Sequence, residues 1–150
     1  MPSWKDKIGR ERYYSKDFEG RDDIVTWEVT EIEPEQLIKF TFVSTNSKDT
    51  QGVRLAIDAG DGYLEIDGVK GRSMELWQDT APREIICKCV SSSGLLSVYN
   101  TWRRQDGNEF SFSYGAGMLL EEEGRKRVYR CNDWGIETNF DKLVFAIERL

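Results

Sequence analysis

The chain has 150 residues and a net charge of −6, with 21 Lys and Arg residues against 27 Asp and Glu residues. This length predicts one domain with a substantial core, and the acidic balance disfavours nucleic acid and anionic membranes as partners. The sequence contains no His, which excludes His-dependent catalytic triads and His-containing zinc sites. No apolar run approaches the roughly 18 residues of a membrane span, and the first residues lack the pattern of a signal peptide. We therefore expect a cytoplasmic protein, or a mature secreted form whose signal has been removed.

Residues 1–11 are polar and charged and predict an N-terminal arm, whereas residues 12–150 predict a single β domain. Alternation of apolar and polar side chains indicates half-buried strands along most of this domain, and no segment predicts a helix of ten or more residues. Residues 58–67, with Gly60-Asp61-Gly62, predict a hairpin, and Asp106-Gly107 predicts a second hairpin. The predicted strands are 24–32, 37–43, 53–57, 64–67, 73–78, 84–90, 95–102, 109–114, 118–121, 127–131 and 142–147.

Short strands separated by Gly-Asp turns are typical of a protein with two packed sheets. We therefore predict an all-β fold, an antiparallel β-sandwich of jelly-roll type, with a closed β-barrel as the alternative. The three cysteines, Cys87, Cys89 and Cys131, are an odd number. Cys87 and Cys89 cannot easily bridge within one strand, because alternate residues lie about 7 Å apart. Reduced, buried thiols are expected.

The segment between the last two predicted strands is rich in oxygen-bearing side chains. A hard cation such as calcium is bound by carboxylates, Asn side chains and backbone carbonyls. The candidate metal ligands are Asn132, Asp133, Asn139 and Asp141, and calcium is the cofactor that they suit. The alternative is that these side chains cap the turn through hydrogen bonds to the local backbone.

The order Asn132-Asp133, a short spacer and then Phe140-Asp141-Lys142 followed by Leu-Val resembles a pattern in bacterial calcium-associated, carbohydrate-linked β-sandwich domains. That pattern runs Asn-Asp, spacer, Asp-Phe-Asn/Asp-Asp-Leu-Val, in the acidic loop and the last strand. The resemblance covers about fifteen residues and implies a calcium loop on a bacterial carbohydrate-binding-like fold. Here Lys142 replaces a carboxylate of the pattern and Asn139 replaces an Asp, which lowers the negative charge offered to a cation.

Several aromatic residues have Asp, Asn or Gln neighbours in the sequence. Sugars are held by stacking of their C–H faces on aromatic rings, while polar side chains bind the hydroxyl groups. For Trp27 and Trp77, packing in the core is the alternative. The candidate ligand-binding residues are Trp77, Asp79, Tyr99, Asn100, Trp102 and Trp134.

These patterns favour a non-catalytic, lectin-like carbohydrate-binding module whose partner is a glycan or another small hydroxyl-rich ligand. A second hypothesis is an acidic protein-interaction domain, of the inhibitor or immunity-protein kind, that binds a basic partner. A third is an enzyme that acts on a sugar or lactone through two carboxylates, with Asp79 and Asp133 as the pair.

Overall fold

The computed structural model describes residues 23–111, 115–134 and 139–150, so the arm predicted at 1–11 lies outside the described residues. Within them no helix is long and apolar enough to cross a membrane. The strands are β1 (Ile24–Val25), β2 (Glu28–Glu31), β3 (Glu35–Thr45), β4 (Thr50–Ile57), β5 (Gly62–Ile66), β6 (Val69–Gly71), β7 (Ser73–Trp77), β8 (Glu84–Ser91), β9 (Leu95–Arg103), β10 (Glu109–Phe110), β11 (Gly117–Glu123), β12 (Lys126–Asn132) and β13 (Leu143–Arg149).

These strands form two antiparallel sheets. The large sheet has eight strands in the order β1-β11-β12-β13-β3-β8-β5-β6, and the small sheet has five, in the order β10-β9-β4-β7 with β2 also paired to β9. The chain passes repeatedly from one sheet to the other. The predicted antiparallel β-sandwich is confirmed, and the alternative closed barrel is not formed, because each sheet keeps its own edge strands.

The core lies between the facing sides of the two sheets, where the inward-pointing apolar side chains of both sheets meet. On the large sheet, the rings of Tyr129 and Phe145 stack with centroids 4.5 Å apart, and Phe40 stacks on Phe145 at 5.4 Å. The small sheet contributes Leu55 and Val98, which are directly paired. Burial of each such side chain stabilises the fold by about 1.5–3 kcal/mol. The three cysteines are free and buried, as predicted.

The hairpin predicted at 58–67 is wrong, because its two arms belong to different sheets. β4 pairs with β7 and β9, whereas β5 pairs with β6 and β8. Ala59 and Gly60 have φ angles of 57° and 65° and turn the chain across the sandwich. Period-two alternation specifies which face of a strand is buried but not which strand is its neighbour. The next turn, Asp67-Gly68, with φ angles of 50° and 82°, does connect a tight hairpin, β5–β6.

The single strand predicted at 24–32 is divided into β1, in the large sheet, and β2, in the small sheet. The buried carboxylate of Glu28, in β2, pairs with the guanidinium of Arg127, in β12, so that an ion pair joins the two sheets. Arg127 also donates to Thr30 Oγ at 3.2 Å. These contacts hold β2 of the small sheet against β12 of the large sheet.

The hairpin around Asp106-Gly107 is formed, with Phe110 of β10 opposite Trp102 of β9; residues 112–114 of the predicted second arm lie outside the described residues. The last strand, β13, lies between β12 and β3 in the large sheet. Its predicted core side chains are buried, and Val144 and Ala146, which alternate with them, are buried as well. β13 is therefore covered on both faces, which alternation alone does not indicate.

Candidate ligand surface at one end of the small sheet

Four segments that are distant in the sequence meet at one end of the small sheet. They are the β3–β4 loop, the end of β7, the end of β9 and the residues after β12. The register brings them together, because Gln51 is opposite Trp102, Gly52 is opposite Trp77, and Gln51 reaches Asp133. The predicted site residues at this end are Trp77, Asp79, Trp102, Asn132, Asp133, Trp134 and Asp141.

The ring of Trp77 lies over Gly52 on the outer face of the small sheet. A Cβ atom added to Gly52 would be 2.6 Å from Trp77 Cε3 and 2.8 Å from Thr101 Oγ1. Glycine in the interior of a strand weakens the sheet, and it is found where another group approaches the backbone closely. Gly52 therefore provides the space that lets the half-buried indole cross the central strand.

The guanidinium of Arg103 lies 4.9 Å from the centroid of the Trp77 ring. Its Nη2 also donates to Asp79 Oδ2 at 2.6 Å. A cation over an indole face is attracted by the negative charge of that face. An aromatic ring, a planar hydrogen-bond donor and a carboxylate therefore lie together, all partly exposed.

Tyr99 lies one row further along the same outer face, opposite Arg54, which pairs with Glu75 at 3.0 Å. Trp27 approaches Tyr99 edge-on, with ring centroids 6.1 Å apart. Burial raises the pKa of Tyr99 above its ordinary value, an effect that nearby Arg54 opposes, so the hydroxyl stays protonated and can donate at neutral pH. Both Trp27 and Trp77 are half-buried and outside the core cluster. The aromatic platform, as used below, comprises Trp27, Trp77, Asp79, Tyr99 and Arg103.

Two predicted ligand contacts, Asn100 and Trp102, are separated from Tyr99 because strand alternation turns one face of β9 inward and the other outward. Trp102 is only 1% exposed, and Asn100 Nδ2 donates to the backbone oxygen of Asn132 at 3.1 Å inside the sandwich. A ligand on the outer face does not meet either side chain. Their contacts are those of residues that join the two sheets.

The side chain of Asp133 is 2% exposed, and the protein supplies its hydrogen-bond donors. Oδ2 accepts from Ser47 Oγ at 2.6 Å and from Gln51 Nε2 at 3.1 Å, while Oδ1 accepts from the backbone nitrogen of Trp134 at 2.7 Å. The carboxylate therefore attaches the residues after β12 to the β3–β4 loop. Its bond to the next backbone nitrogen is the local capping contact that the sequence offered as the alternative to metal binding.

The other predicted metal ligands have different partners. Asn132 Nδ2 donates to the backbone oxygen of Gly115 at 2.7 Å, and Asp141 Oδ2 accepts from Asn46 Nδ2 at 2.9 Å. The backbone oxygen of Asn139 accepts from the nitrogen of Lys142 at 3.4 Å. Across 23–111, 115–134 and 139–150, no group of three or more acidic or Cys side chains is arranged to hold a metal ion. Calcium binding stays a prediction.

Trp134 is held at its polar edge, where Nε1 donates to Asp49 Oδ2 at 2.8 Å. Asp49 is 5% exposed, so this acceptor is buried. Two cations approach the ring: Arg104 Cζ is 4.3 Å and Lys48 Nζ is 5.7 Å from its centroid. These four side chains, Lys48, Asp49, Arg104 and Trp134, form one cluster.

The sequence interpretation did not include Lys48, Asp49, Arg103 and Arg104. Two of these residues, Arg103 and Arg104, are consecutive and follow Trp102 directly. This pair could have been recognised in the sequence as candidate partners of aromatic rings, because each guanidinium lies over a different Trp ring. The roles of Lys48 and Asp49 had no local signal, since both act on a ring 85 or more residues away in the chain.

Comparison with protein-family models, with curated proteins and with solved structures gives no match to this chain.

Proposed function

We propose that this protein is a non-catalytic carbohydrate-binding module whose ligand lies on the aromatic platform. The observation that carries this proposal is the pairing of two partly buried rings, Trp77 and Tyr99, with charged hydrogen-bonding groups on one face of the small sheet. A sugar ring stacks its C–H face on an indole or a phenol, and flanking polar groups bind its hydroxyls. Arg103 and Asp79 supply a donor and an acceptor at the edge of Trp77.

The contacts of the carboxylates favour binding over catalysis. Asp79 is paired with Arg103, and Asp133 is almost fully buried with three donors. Carboxylate-based glycoside hydrolysis needs two carboxyl groups that face one bound sugar in a cleft. Asp133 faces the β3–β4 loop instead, so the hypothesis of an enzyme using Asp79 and Asp133 gains no support.

The experiment is a glycan panel followed by isothermal titration calorimetry with the full chain. Trp77→Ala and Tyr99→Ala are expected to weaken binding of any glycan found by about tenfold or more, the scale of a lost stacking contact with its neighbours. The matched control is Tyr63→Ala, because Tyr63 is a half-buried ring with a cation, Lys70, on the outer face of the other sheet. Absence of binding to every glycan at about millimolar concentration removes the proposal.

A second candidate, the acidic protein-interaction domain, is favoured by a different surface. On the outer face of the large sheet, Leu37 is 47% exposed and Ile86 is 51% exposed, on neighbouring strands. Exposed apolar side chains within a charged surface are typical of protein contacts. A salt-sensitive complex with a basic protein that Ile86→Lys abolishes and Trp77→Ala leaves intact supports this candidate.

The calcium prediction is tested by thermal melts with calcium and with a chelator. A ligand bound only by the folded state stabilises it by about 2.7 kcal/mol at a hundredfold excess over Kd. Equal melting temperatures under the two conditions leave Asp133 and Asp141 with the structural contacts described above.

A further inference from the structure

Strands β3 and β8, which are neighbours in the large sheet, carry the same short pattern of side chains on their outer faces. Each strand presents a carboxylate, a branched apolar side chain and an ammonium group at alternate positions: Glu35, Leu37 and Lys39 in β3, and Glu84, Ile86 and Lys88 in β8. The first eight residues of the two strands also have the same order of exposed, half-buried and buried side chains. The outer face of the large sheet therefore carries one pattern twice.

The antiparallel pairing of the two strands relates the two patterns by a local two-fold axis. Leu37 is opposite Lys88, and Lys39 is opposite Ile86. A two-fold rotation about an axis normal to the sheet therefore exchanges the two apolar side chains with each other and the two ammonium groups with each other. The two-fold patch, as used below, comprises Glu35, Leu37, Lys39, Glu84, Ile86 and Lys88.

The apolar side chains of the two-fold patch are exposed to solvent. Leu37 and Ile86 are two of the five large apolar side chains that are exposed in the described ranges. They are diagonal neighbours on adjacent strands, and diagonal positions lie about 7–8 Å apart, within reach of long side chains. The patch therefore has one small apolar area at its centre, which a partner surface would remove from water.

The charges of the two-fold patch balance each other. Lys88 Nζ lies 3.4 Å from Glu35 Oε1, and Lys39 Nζ lies 3.6 Å from Glu148 Oε1 in β13. The patch holds two Lys and two Glu residues and has no net charge, whereas the whole chain has a net charge of −6. A strongly basic partner gains no electrostatic attraction from such a patch. A partner surface that is itself apolar at its centre and neutral suits it better.

The outer face of the large sheet is wide enough for a stable contact. Eight strands spaced about 4.8 Å apart give a width of about 34 Å, and a strand of seven residues is about 24 Å long. The face therefore offers up to about 800 Å², which is the area that each partner buries in a protein–protein interface of standard size.

We infer that the two-fold patch is the contact surface of a homodimer, in which the outer faces of two large sheets pack against each other. A symmetric dimer uses the same surface on both subunits, so this surface has to be complementary to itself. The zero net charge and the two equivalent apolar side chains of the patch meet this requirement. The inference does not rest on the proposed carbohydrate-binding function. The aromatic platform lies on the other sheet, so both platforms of the dimer stay accessible.

The test is sedimentation velocity with the full chain. Wild type is expected to pass from mainly monomer at about 1 μM to mainly dimer at about 100 μM, the affinity of a standard-size interface without aromatic anchors. Leu37→Glu and Ile86→Glu are each expected to weaken dimerisation by about tenfold or more, because the new charge enters the contact twice. Both side chains are exposed in one subunit, and circular dichroism melts verify that the variants are folded.

Val69→Glu is the matched control, because Val69 is an exposed apolar side chain in edge strand β6, outside the two-fold patch. It is expected to leave dimerisation unchanged. A wild-type protein that is monomeric at about 100 μM overturns the inference. A dimer that Leu37→Glu and Ile86→Glu leave intact overturns it as well, because the subunits then meet through another surface.

The sign of the introduced charge separates the homodimer from the basic partner considered above for the same face. Ile86→Glu and Ile86→Lys both dissociate a homodimer, because either charge is placed in the contact twice. A basic protein is repelled by the Lys variant alone. A monomeric wild type whose complex with a basic protein is lost only in Ile86→Lys overturns the inference and assigns this face to the second candidate function.

Discussion

The carboxylate of Asp133 accepts a hydrogen bond at 3.1 Å from the side-chain amide of Gln51, a residue 82 positions earlier in the chain. Both side chains are buried, and Ser47 donates to the same oxygen at 2.6 Å. This contact attaches the residues after β12, which include Trp134, to the start of β4. The loop after β12 therefore connects the two sheets, although its composition suggests a metal site.

Asp133→Ala is expected to lower the free energy of unfolding by about 1–3 kcal/mol, because the buried Gln51 amide loses one of its two acceptors, keeping the Asp49 backbone oxygen, and the Ser47 hydroxyl loses its acceptor. Asp141→Ala is the matched control. Its bond to Asn46 is exposed to solvent, so the loss is expected to stay within about 0.5 kcal/mol. Urea denaturation of the two variants measures the difference. Equal losses would contradict the structural role of Asp133.

The close contact between Gly52 and Trp77 makes a second prediction. Gly52→Ala puts a methyl group 2.6 Å from the indole, which has to move; overpacking of this kind costs about 1–3 kcal/mol. Gly71→Ala, in edge strand β6, is the control, since its added Cβ meets no atom closer than 3.4 Å. Tryptophan fluorescence and denaturation measure the two effects. An unchanged emission spectrum in Gly52→Ala means that the Trp77 ring does not lie over Gly52.

The sequence predicts which residues are strand-forming better than it predicts which strands are neighbours. Alternation correctly indicates the buried faces of β3 and β4, because it depends only on local periodicity. It cannot distinguish the β4–β5 crossover from a hairpin, since both connections place apolar side chains inward. The break between β1 and β2 is likewise invisible, because the alternation at 24–32 continues across it.

The sequence predicted part of the composition of the candidate site but not its arrangement. Trp77 and Tyr99 share the outer face, whereas Asn100 and Trp102 face inward, and this separation depends on the register with β4. Arg104 and Lys48 contact the ring of Trp134, which is distant in the sequence, and the residues next to them in the chain do not indicate these contacts. The chemistry of each side chain can be read from one sequence. Which of these side chains lie close together depends on strand pairing between distant segments.

The ion pair between the sheets makes a third prediction. Arg127→Ala removes the guanidinium that pairs with the buried carboxylate of Glu28, so a loss of about 3–5 kcal/mol in the free energy of unfolding is expected. Arg130→Ala is a matched change in the same strand, because its pair with Glu121 is exposed. Its loss is expected to stay below about 1 kcal/mol. Denaturant titrations compare the two variants. If Glu28→Gln restores stability in the Arg127→Ala protein, the buried charge of Glu28 is the cause of the loss; no restoration means that the lost packing of Arg127 is the cause.

The buried phenol of Tyr129 makes the protein sensitive to alkaline pH. Burial, reinforced by nearby Glu28, raises the pKa of Tyr129 well above its ordinary value of 10.0, an effect that Arg127 partly opposes. Above that pH the unfolded chain releases the proton while the folded chain retains it, so stability falls as pH rises, by at most about 1.4 kcal/mol per pH unit for this group. Urea denaturation between about pH 8 and about pH 11 is expected to show a steeper decline for wild type than for Tyr129→Phe. Burial also raises the pKa of Cys131, but that thiol is present in both proteins and its contribution cancels in the comparison. Parallel declines for the two proteins would exclude Tyr129 as the titrating group.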